Sequence, residues 1–209
     1  MQNARLVANA ERYYRIIYYG SRASWNLRDS HMFTTLEALL TFHGADSKAI
    51  VWAHNSHIGD AGATEMSARG EHNIGHLCRK EFGEQAYLVG FGTNSGTVAA
   101  ASEWGGPMEV KTVRPALPKS YEQLCHATCL ARFLLGLRDR SDLCGPNGRG
   151  WSARSASSTG LSLNLPASDS KPCCRSKFDE YIWFDDARAV TPFDTAEIEG
   201  LPDTYPVGV

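Results

Sequence analysis

The stretch Lys48-Ala49-Ile50-Val51-Trp52-Ala53-His54-Asn55-Ser56-His57 decides the fold that this sequence predicts. Its first six residues form a short apolar run bounded by polar residues, which is typical of a buried strand. A second such run, residues 86–91, follows after a small-residue loop and a helix predicted over residues 73–81. This order predicts a crossover unit in which residues 49–53 and 87–91 are parallel strands, adjacent or nearly so.

The remaining predicted elements flank this unit. Helical spacing of apolar residues predicts helices at residues 2–19 and 31–43, and Gly44 ends the second one. Strands are predicted at residues 108–113 and 180–184, with one or two short helices inside 121–137. We therefore expect an α/β fold, a partial and mostly parallel sheet flanked by helices.

Residues 141–176 break this pattern, because Ser, Gly, Pro, Arg and Cys dominate them without periodicity. A structureless stretch of that length is unusual inside a compact domain. Either it is a disordered insertion, or the gene carries a compensated frameshift. In the second case a neighbouring frame across residues 152–162 gives the apolar strand Ile-Gly-Val-Ile-Tyr. The predicted organisation is an α/β region at 1–140, the irregular segment at 141–176, and a last strand with its tail at 177–209.

The composition excludes several classes of protein. A net charge of −2 gives no basic surface for nucleic acid. No apolar run has the length of about 18 residues that a membrane span needs. Residues 1–12 lack the apolar core of a signal peptide, so a cytoplasmic location is expected. In such a chain we expect free thiols rather than disulfides at Cys78, Cys125, Cys129, Cys144, Cys173 and Cys174.

His54 and His57 are the strongest candidates for catalysis. They follow a predicted parallel strand at its carboxyl end, the edge where open α/β sheets gather ligands and catalytic groups. Two imidazoles near one point can exchange protons near neutral pH or stabilise developing negative charge. We expect both rings to face one cleft, beside the glycine-rich loop at residues 92–96.

Several polar residues around this pair are candidates for the same cleft. Asn55 adds an amide donor and Asp60 a carboxylate that could orient an imidazole. Glu65, Glu71 and His72 lie between the histidine pair and the second predicted strand and could line the same cleft. The candidates for binding substrate are Asn55, Glu65 and Glu71. No further ligands suggest a metal site, and the Gly-x-Ser-x-Gly elbow of serine hydrolases is absent.

The segment VWAHNSHIGD, residues 51–60, resembles the His-Asn-x-His segment of the erythromycin esterase family. The resemblance extends to residues 18–32 before this segment. After it, the resemblance takes in residues 73–75, 88–93, 99–108 and 178–192, so that it covers most of the chain. It implies a hydrolase that needs neither metal nor cofactor and that uses histidine and carboxylate groups to activate water. The implied substrates are small carboxylic esters, best known as macrolide lactones, which implies a role in the response to antibiotics.

The same resemblance implies roles for the two histidines and an incomplete domain. His54 and His57 would position the substrate and assist the oxyanion or the leaving group. Family members are about twice as long, and their N-terminal half carries the histidine thought to act as general base. The resemblance therefore implies that this chain is inactive alone and that a missing N-terminal half is its partner.

Two alternatives from other functional classes stay open. The chain could be a small-molecule- or metal-binding module that uses the cleft of His54 and His57. It could also be a non-catalytic interaction protein. Metal bound at the two histidines would favour the first alternative, whereas a large exposed apolar face would favour the incomplete esterase.

Overall fold

The computed structural model describes residues 2–17, 20–103, 106–118, 120–138 and 177–191. Its helices are α1 (Gln2–Ile17), α2 (Ser21–His43), α3 (Asn55–Ile58), α4 (Glu65–Ala68), α5 (Ile74–Phe82) and α6 (Tyr121–Ala127). Single 3₁₀ turns occur at Ala61–Ala63 and Gly83–Gln85. Its strands are β1 (Val89–Gly92), β2 (Ser95–Ala100), β3 (Glu109–Thr112), β4 (Arg132–Gly136), β5 (Glu180–Phe184) and β6 (Asp186–Ala187).

The described strands form two small mixed sheets. In the first, of order β1-β5-β4, β5 runs parallel to β1 and antiparallel to β4. In the second, of order β3-β2-β6, β2 runs antiparallel to β3 and parallel to β6. The combination of helices and strands is as expected, but the prediction of a mostly parallel sheet is not confirmed. β4 returns directly against β5, and β3 directly against β2, which makes both sheets mixed.

The prediction of a strand at residues 49–53 is wrong for the described part of the chain. Residues 47–54 have no regular secondary structure and belong to neither sheet. Ile50 is 93% exposed and Trp52 84% exposed. A strand requires a hydrogen-bonded neighbour, and no strand among the described residues pairs with this segment, so its apolar side chains stay at the surface.

Several other predicted elements are present in the structure. The strands predicted at 86–91, 108–113 and 180–184 correspond to β1, β3 and β5. Within 121–137 one short helix is present, but a strand, β4, replaces the second predicted helix. β2 passes through residues interpreted in part as a loop. The irregular segment 141–176 lies outside the described residues, as does most of the predicted tail.

The alternating side chains of β5 organise the core. Successive residues of a strand point to opposite faces, and here Tyr181 and Trp183 are the buried ones, at 5% and 0% exposure. Leu88, Leu137 and Phe178 complete the buried cluster together with Cys125 from α6. The first sheet is thus anchored against α6 on one face, which fixes where β1 ends.

Helix α2 is longer than predicted and carries part of the site. It runs unbroken from Ser21 to His43, so the segment 24–29 lies inside it instead of preceding it. The helix ends as predicted at Gly44, whose φ of 96° is a conformation that side chains with a Cβ rarely adopt. One face of its first half contacts α3 and the start of α5.

The buried amide of Asn73 fastens α3 to α5. Its side-chain oxygen caps α5 by accepting from the His76 amide at 2.9 Å. Its nitrogen donates to the carbonyls of Ser56 and Gly59 at 2.7 and 2.6 Å. Because every one of these contacts is shielded from water, the turn that carries the two histidines is held in one place.

Candidate active site

His54 is the N-cap of α3, and this role fixes its protonation. Its Nδ1 accepts a hydrogen bond from the backbone amide of Ser56 at 3.2 Å. Since Nδ1 accepts, the proton of the neutral ring sits on Nε2, which is therefore a donor. Burial, the nearby His57 and the charge of Lys177 all lower the pKa of His54. The imidazole is neutral at pH 7.

A buried carboxylate orients the second histidine. The Nδ1 of His57 lies 2.9 and 3.0 Å from the two oxygens of Asp29, which has no exposed surface. Asp29 also accepts from the backbone amide of Ile74 at 3.1 Å. The carboxylate of α2 therefore ties the histidine turn to the start of α5. It also sets the His57 tautomer with its proton on Nδ1.

Two further side chains of α2 enclose His57. The Trp25 ring stacks on the imidazole, with centroids 4.6 Å apart and planes at 9°. The guanidinium of Arg28 lies over Trp25 at 4.9 Å, and its Nη2 is 3.3 Å from the Nε2 of His57. The Nε2 of His57 therefore faces Arg28, while its Nδ1 faces Asp29. Both of its nitrogens are thus occupied.

An open cavity of about 1940 Å³ lies between residues 44–55, β1 and the second sheet. His54 lines it beside Gly92 and Thr93, as predicted for the loop that follows β1. His57 is not among its lining residues and lies behind His54, against α2. The expectation that both imidazoles face one cleft therefore holds for His54 only, and the catalytic roles of the two residues stay predictions.

Asn55 lines the cavity, but its side-chain amide is hydrogen-bonded to the protein backbone. Its Nδ2 donates to the carbonyl of Phe91 at 2.6 Å, and its Oδ1 accepts from the amide of the same residue at 3.1 Å. These two hydrogen bonds take the place of those that a neighbouring strand would form at the edge of β1. It places α3, and therefore His54, at the carboxyl end of that strand.

The other predicted site residues lie away from this cavity. Glu65 is in the first turn of α4, and Glu71 forms an ion pair with Arg69 at 2.9 Å. Neither is among the residues that line the cavity. Asp60 pairs with His76 at 2.8 Å rather than with the predicted pair, and His72 contacts the Ser30 hydroxyl at 2.8 Å. A substrate-binding role for the two glutamates stays an untested prediction.

The structure adds residues that sequence reasoning missed. Trp25, Arg28 and Asp29 have i, i+3 and i+4 spacing, which puts all three on one helix face. The sequence signal that could have indicated these residues was an acidic residue beside a tryptophan on one helix face. Glu122 and Tyr181 also line the cavity. Glu122 gave no signal, because a carboxylate in the first turn of a helix is ordinary.

The described residues contain no group of three or more His, Cys, Asp or Glu side chains placed to hold a metal ion. Across the same part of the chain, none of the helices has the length and apolar character of a membrane span.

Comparisons with known proteins identify similar folds and the family of this chain. A crystal structure of a succinoglycan biosynthesis protein superposes with a TM-score of 0.55 at 15% identity over 81% of this chain. A protein from Bacillus cereus superposes with a TM-score of 0.56 at 17% identity over 80% of it. The chain spans about 40% of the length of each. The family model for erythromycin esterase matches residues 1–187, and the chain therefore belongs to the erythromycin esterase family.

Proposed function

We propose that this chain carries the histidine–carboxylate part of a site that hydrolyses carboxylic esters. One observation carries the proposal. A fully buried Asp29 fixes His57, and the neighbouring His54 lines a large cavity at the carboxyl end of β1. Membership of the family supports a hydrolase-like function for this arrangement.

In the proposed mechanism His54 stabilises the oxyanion. Its Nε2–H donates to the ester carbonyl oxygen, where negative charge develops as water attacks the carbonyl carbon. A positioned donor of this kind is worth about 10²–10³ in rate. Asp29 and His57 are positioning residues, because they hold the turn that aims His54 and do not line the cavity themselves.

We propose a macrolide lactone as the substrate to test first. Pockets for drug-sized ligands measure about 300–1,000 Å³, and the cavity of about 1940 Å³ leaves room for a large ring. Its wall is largely apolar, as the carbon skeleton of a macrolide requires. This proposal implies a role in the response to antibiotics inside the cytoplasm.

We further propose that the cavity needs a second polypeptide to complete it. Residues 48–53 leave Ile50 and Trp52 exposed and have no strand partner within the described chain. An unpaired backbone segment with exposed apolar side chains can pair as a strand with another chain. The proposed partner corresponds to the part of the longer relatives that this chain does not span, and it would supply the base that activates water.

Hydrolysis assays on the purified chain test this function. p-Nitrophenyl acetate, whose leaving group needs no protonation, should be hydrolysed slowly and in a His54-dependent way. His54→Ala should lower the rate about 10²-fold, while His43→Ala, at the exposed end of α2, should leave it unchanged. Equal rates for all three proteins would refute the hydrolase site.

The same proteins should open the ring of erythromycin at no measurable rate without the proposed partner. The chain lacks the base, and a single acid–base group contributes about 10²–10⁴-fold. Addition of one water to the macrolide is followed by mass spectrometry. Steady ring opening by the chain alone, abolished in His54→Ala, would show that this chain already holds the complete machinery.

A further inference from the structure

A second polar group, the Tyr181 hydroxyl, lies at the carboxyl end of β1. It packs directly over Gly92, the last residue of that strand. A Cβ at Gly92 would lie 2.0 Å from this oxygen, so only glycine leaves room for it. Asn55, the neighbour of His54, is bonded to the backbone of Phe91, one residue earlier. Asn55 and Tyr181 thus contact adjacent residues of β1, and His54 and Tyr181 both line the cavity.

Glu122 forms a side-chain hydrogen bond with Tyr181. Its side chain is 6% exposed, in the first turn of α6, and it lines the same cavity. Within the described residues, its Oε2 is buried without a hydrogen-bond partner. A buried, half-partnered carboxylate is costly, whereas a neutral carboxylic acid in that place costs far less.

Burial favours the neutral form of Glu122. It raises the pKa of Glu122, against hydrogen bonds from its own backbone amide, Ser120 and Tyr181, and against the charge of Lys177. Burial is the largest of these effects. A raised pKa favours the protonated carboxyl group, which is the form that can donate a proton.

We propose that the Tyr181 hydroxyl, backed by Glu122, donates the proton to the leaving alcohol of the ester. This inference rests on the proposed function and adds a second catalytic residue, Tyr181, with Glu122 as its positioning and proton-supplying partner. It places both donors at the carboxyl end of β1, in the wall of one cavity. His54 serves the carbonyl oxygen and Tyr181 the alcohol oxygen.

The proton transfers balance. As the bond between the acyl carbon and the alcohol oxygen breaks, its electron pair stays on the alcohol oxygen. That oxygen takes the proton of the Tyr181 hydroxyl, and the phenolic oxygen takes the proton of the Glu122 carboxyl. Water supplies hydroxide to the acyl carbon, and its remaining proton returns to Glu122 through solvent. The net change is the addition of one water across the ester bond.

A leaving-group series tests the proposal on the full chain. Rates are measured for a series of aryl acetates from p-nitrophenyl to phenyl acetate, whose leaving groups depend increasingly on protonation. Tyr181→Phe keeps the buried ring and removes only the hydroxyl. It should lower phenyl acetate hydrolysis by about 10²-fold or more and p-nitrophenyl acetate hydrolysis less than threefold. Glu122→Gln should do the same. Tyr13→Phe, at a tyrosine of α1 outside the cavity wall, is the matched control and should follow the wild type.

Infrared spectroscopy gives a readout that needs no activity. The wild-type chain at pH 7 should show the carbonyl band of a protonated carboxylic acid, and Glu122→Gln should lose it. Loss of the band in Asp186→Asn instead would place the acid elsewhere, since Asp186 is another carboxylate of this cavity wall.

The outcomes separate the two proposals. If His54→Ala matches the wild type on p-nitrophenyl acetate, the proposed function fails, and the infrared band alone decides whether Glu122 is neutral. If His54 matters but Tyr181→Phe loses the same factor on every leaving group, or nothing on phenyl acetate, the proton-donor role is overturned while the hydrolase function stands. Undetectable phenyl acetate hydrolysis by the wild type overturns it equally.

Discussion

Replacing Asp29 is the most informative perturbation of the fold around the site. Its carboxylate has no exposed surface and accepts from His57 and from the Ile74 amide at 2.9 and 3.1 Å. Asp29→Ala leaves both donors buried and unpaired, at about 1–3 kcal/mol each. Loss of one partner of a buried, hydrogen-bonded pair typically costs about 3–5 kcal/mol. We therefore expect the free energy of unfolding to fall by about 4 kcal/mol.

Asp29→Asn should be milder, because the amide oxygen keeps one of the two donors satisfied. We expect a loss of about 1.5–3 kcal/mol. Asp185→Asn is the matched control, since Asp185 pairs with His126 at 2.8 Å on a largely exposed surface. Such exposed pairs are worth about 0–1 kcal/mol. Urea unfolding followed by circular dichroism measures all three variants, and an Asp29→Ala loss no larger than that of Asp185→Asn would refute the reasoning.

Two further predictions concern protonation. His57→Gln should raise the pKa of His54 towards 6.5, because His57 lowers it second only to burial. Proton NMR titration measures this, and an unchanged midpoint would contradict the proximity of the rings. Although burial opposes its ionisation, hydrogen bonds led by those of Arg138 and the Leu88 amide lower the pKa of Asp179. Its contribution to stability is therefore present above the unfolded-state pKa and lost as pH falls below about 4. Asp179→Asn should flatten the acid side of the stability curve, and an unchanged curve would count against this assignment.

The sequence predicted elements whose signal is local. The run at residues 180–184 alternates its buried side chains and is a strand with the predicted bounds. Gly44 ended α2 as expected, because a positive φ is a local requirement. The failure at residues 49–53 has a non-local cause. An apolar run predicts a strand, but a strand also needs a neighbour, and no described strand is in place to pair with it.

The predictions for the site divide in the same way, into local features that were predicted and non-local ones that were not. His54 was predicted at a strand edge and does line the cavity, although α3 and Asn55 hold it there rather than the strand that was expected. The partner of His57 could not be predicted, because Asp29 is 28 residues away on another helix. Glu122 could not be predicted from the sequence for a different reason. Only the packing of α6 against β5 distinguishes it from an ordinary acidic residue at a helix start.

The pH dependence of His54-dependent hydrolysis tests the central claim most directly. Neutral His54 accepts from the Ser56 amide and directs its Nε2–H into the cavity, and protonation at Nδ1 abolishes that cap and frees the ring. We predict that the ratio of wild-type to His54→Ala rates on p-nitrophenyl acetate rises with pH. Its midpoint should lie below 6.5, because burial, His57 and Lys177 lower the pKa of His54. A ratio of one across the whole pH range would contradict the account.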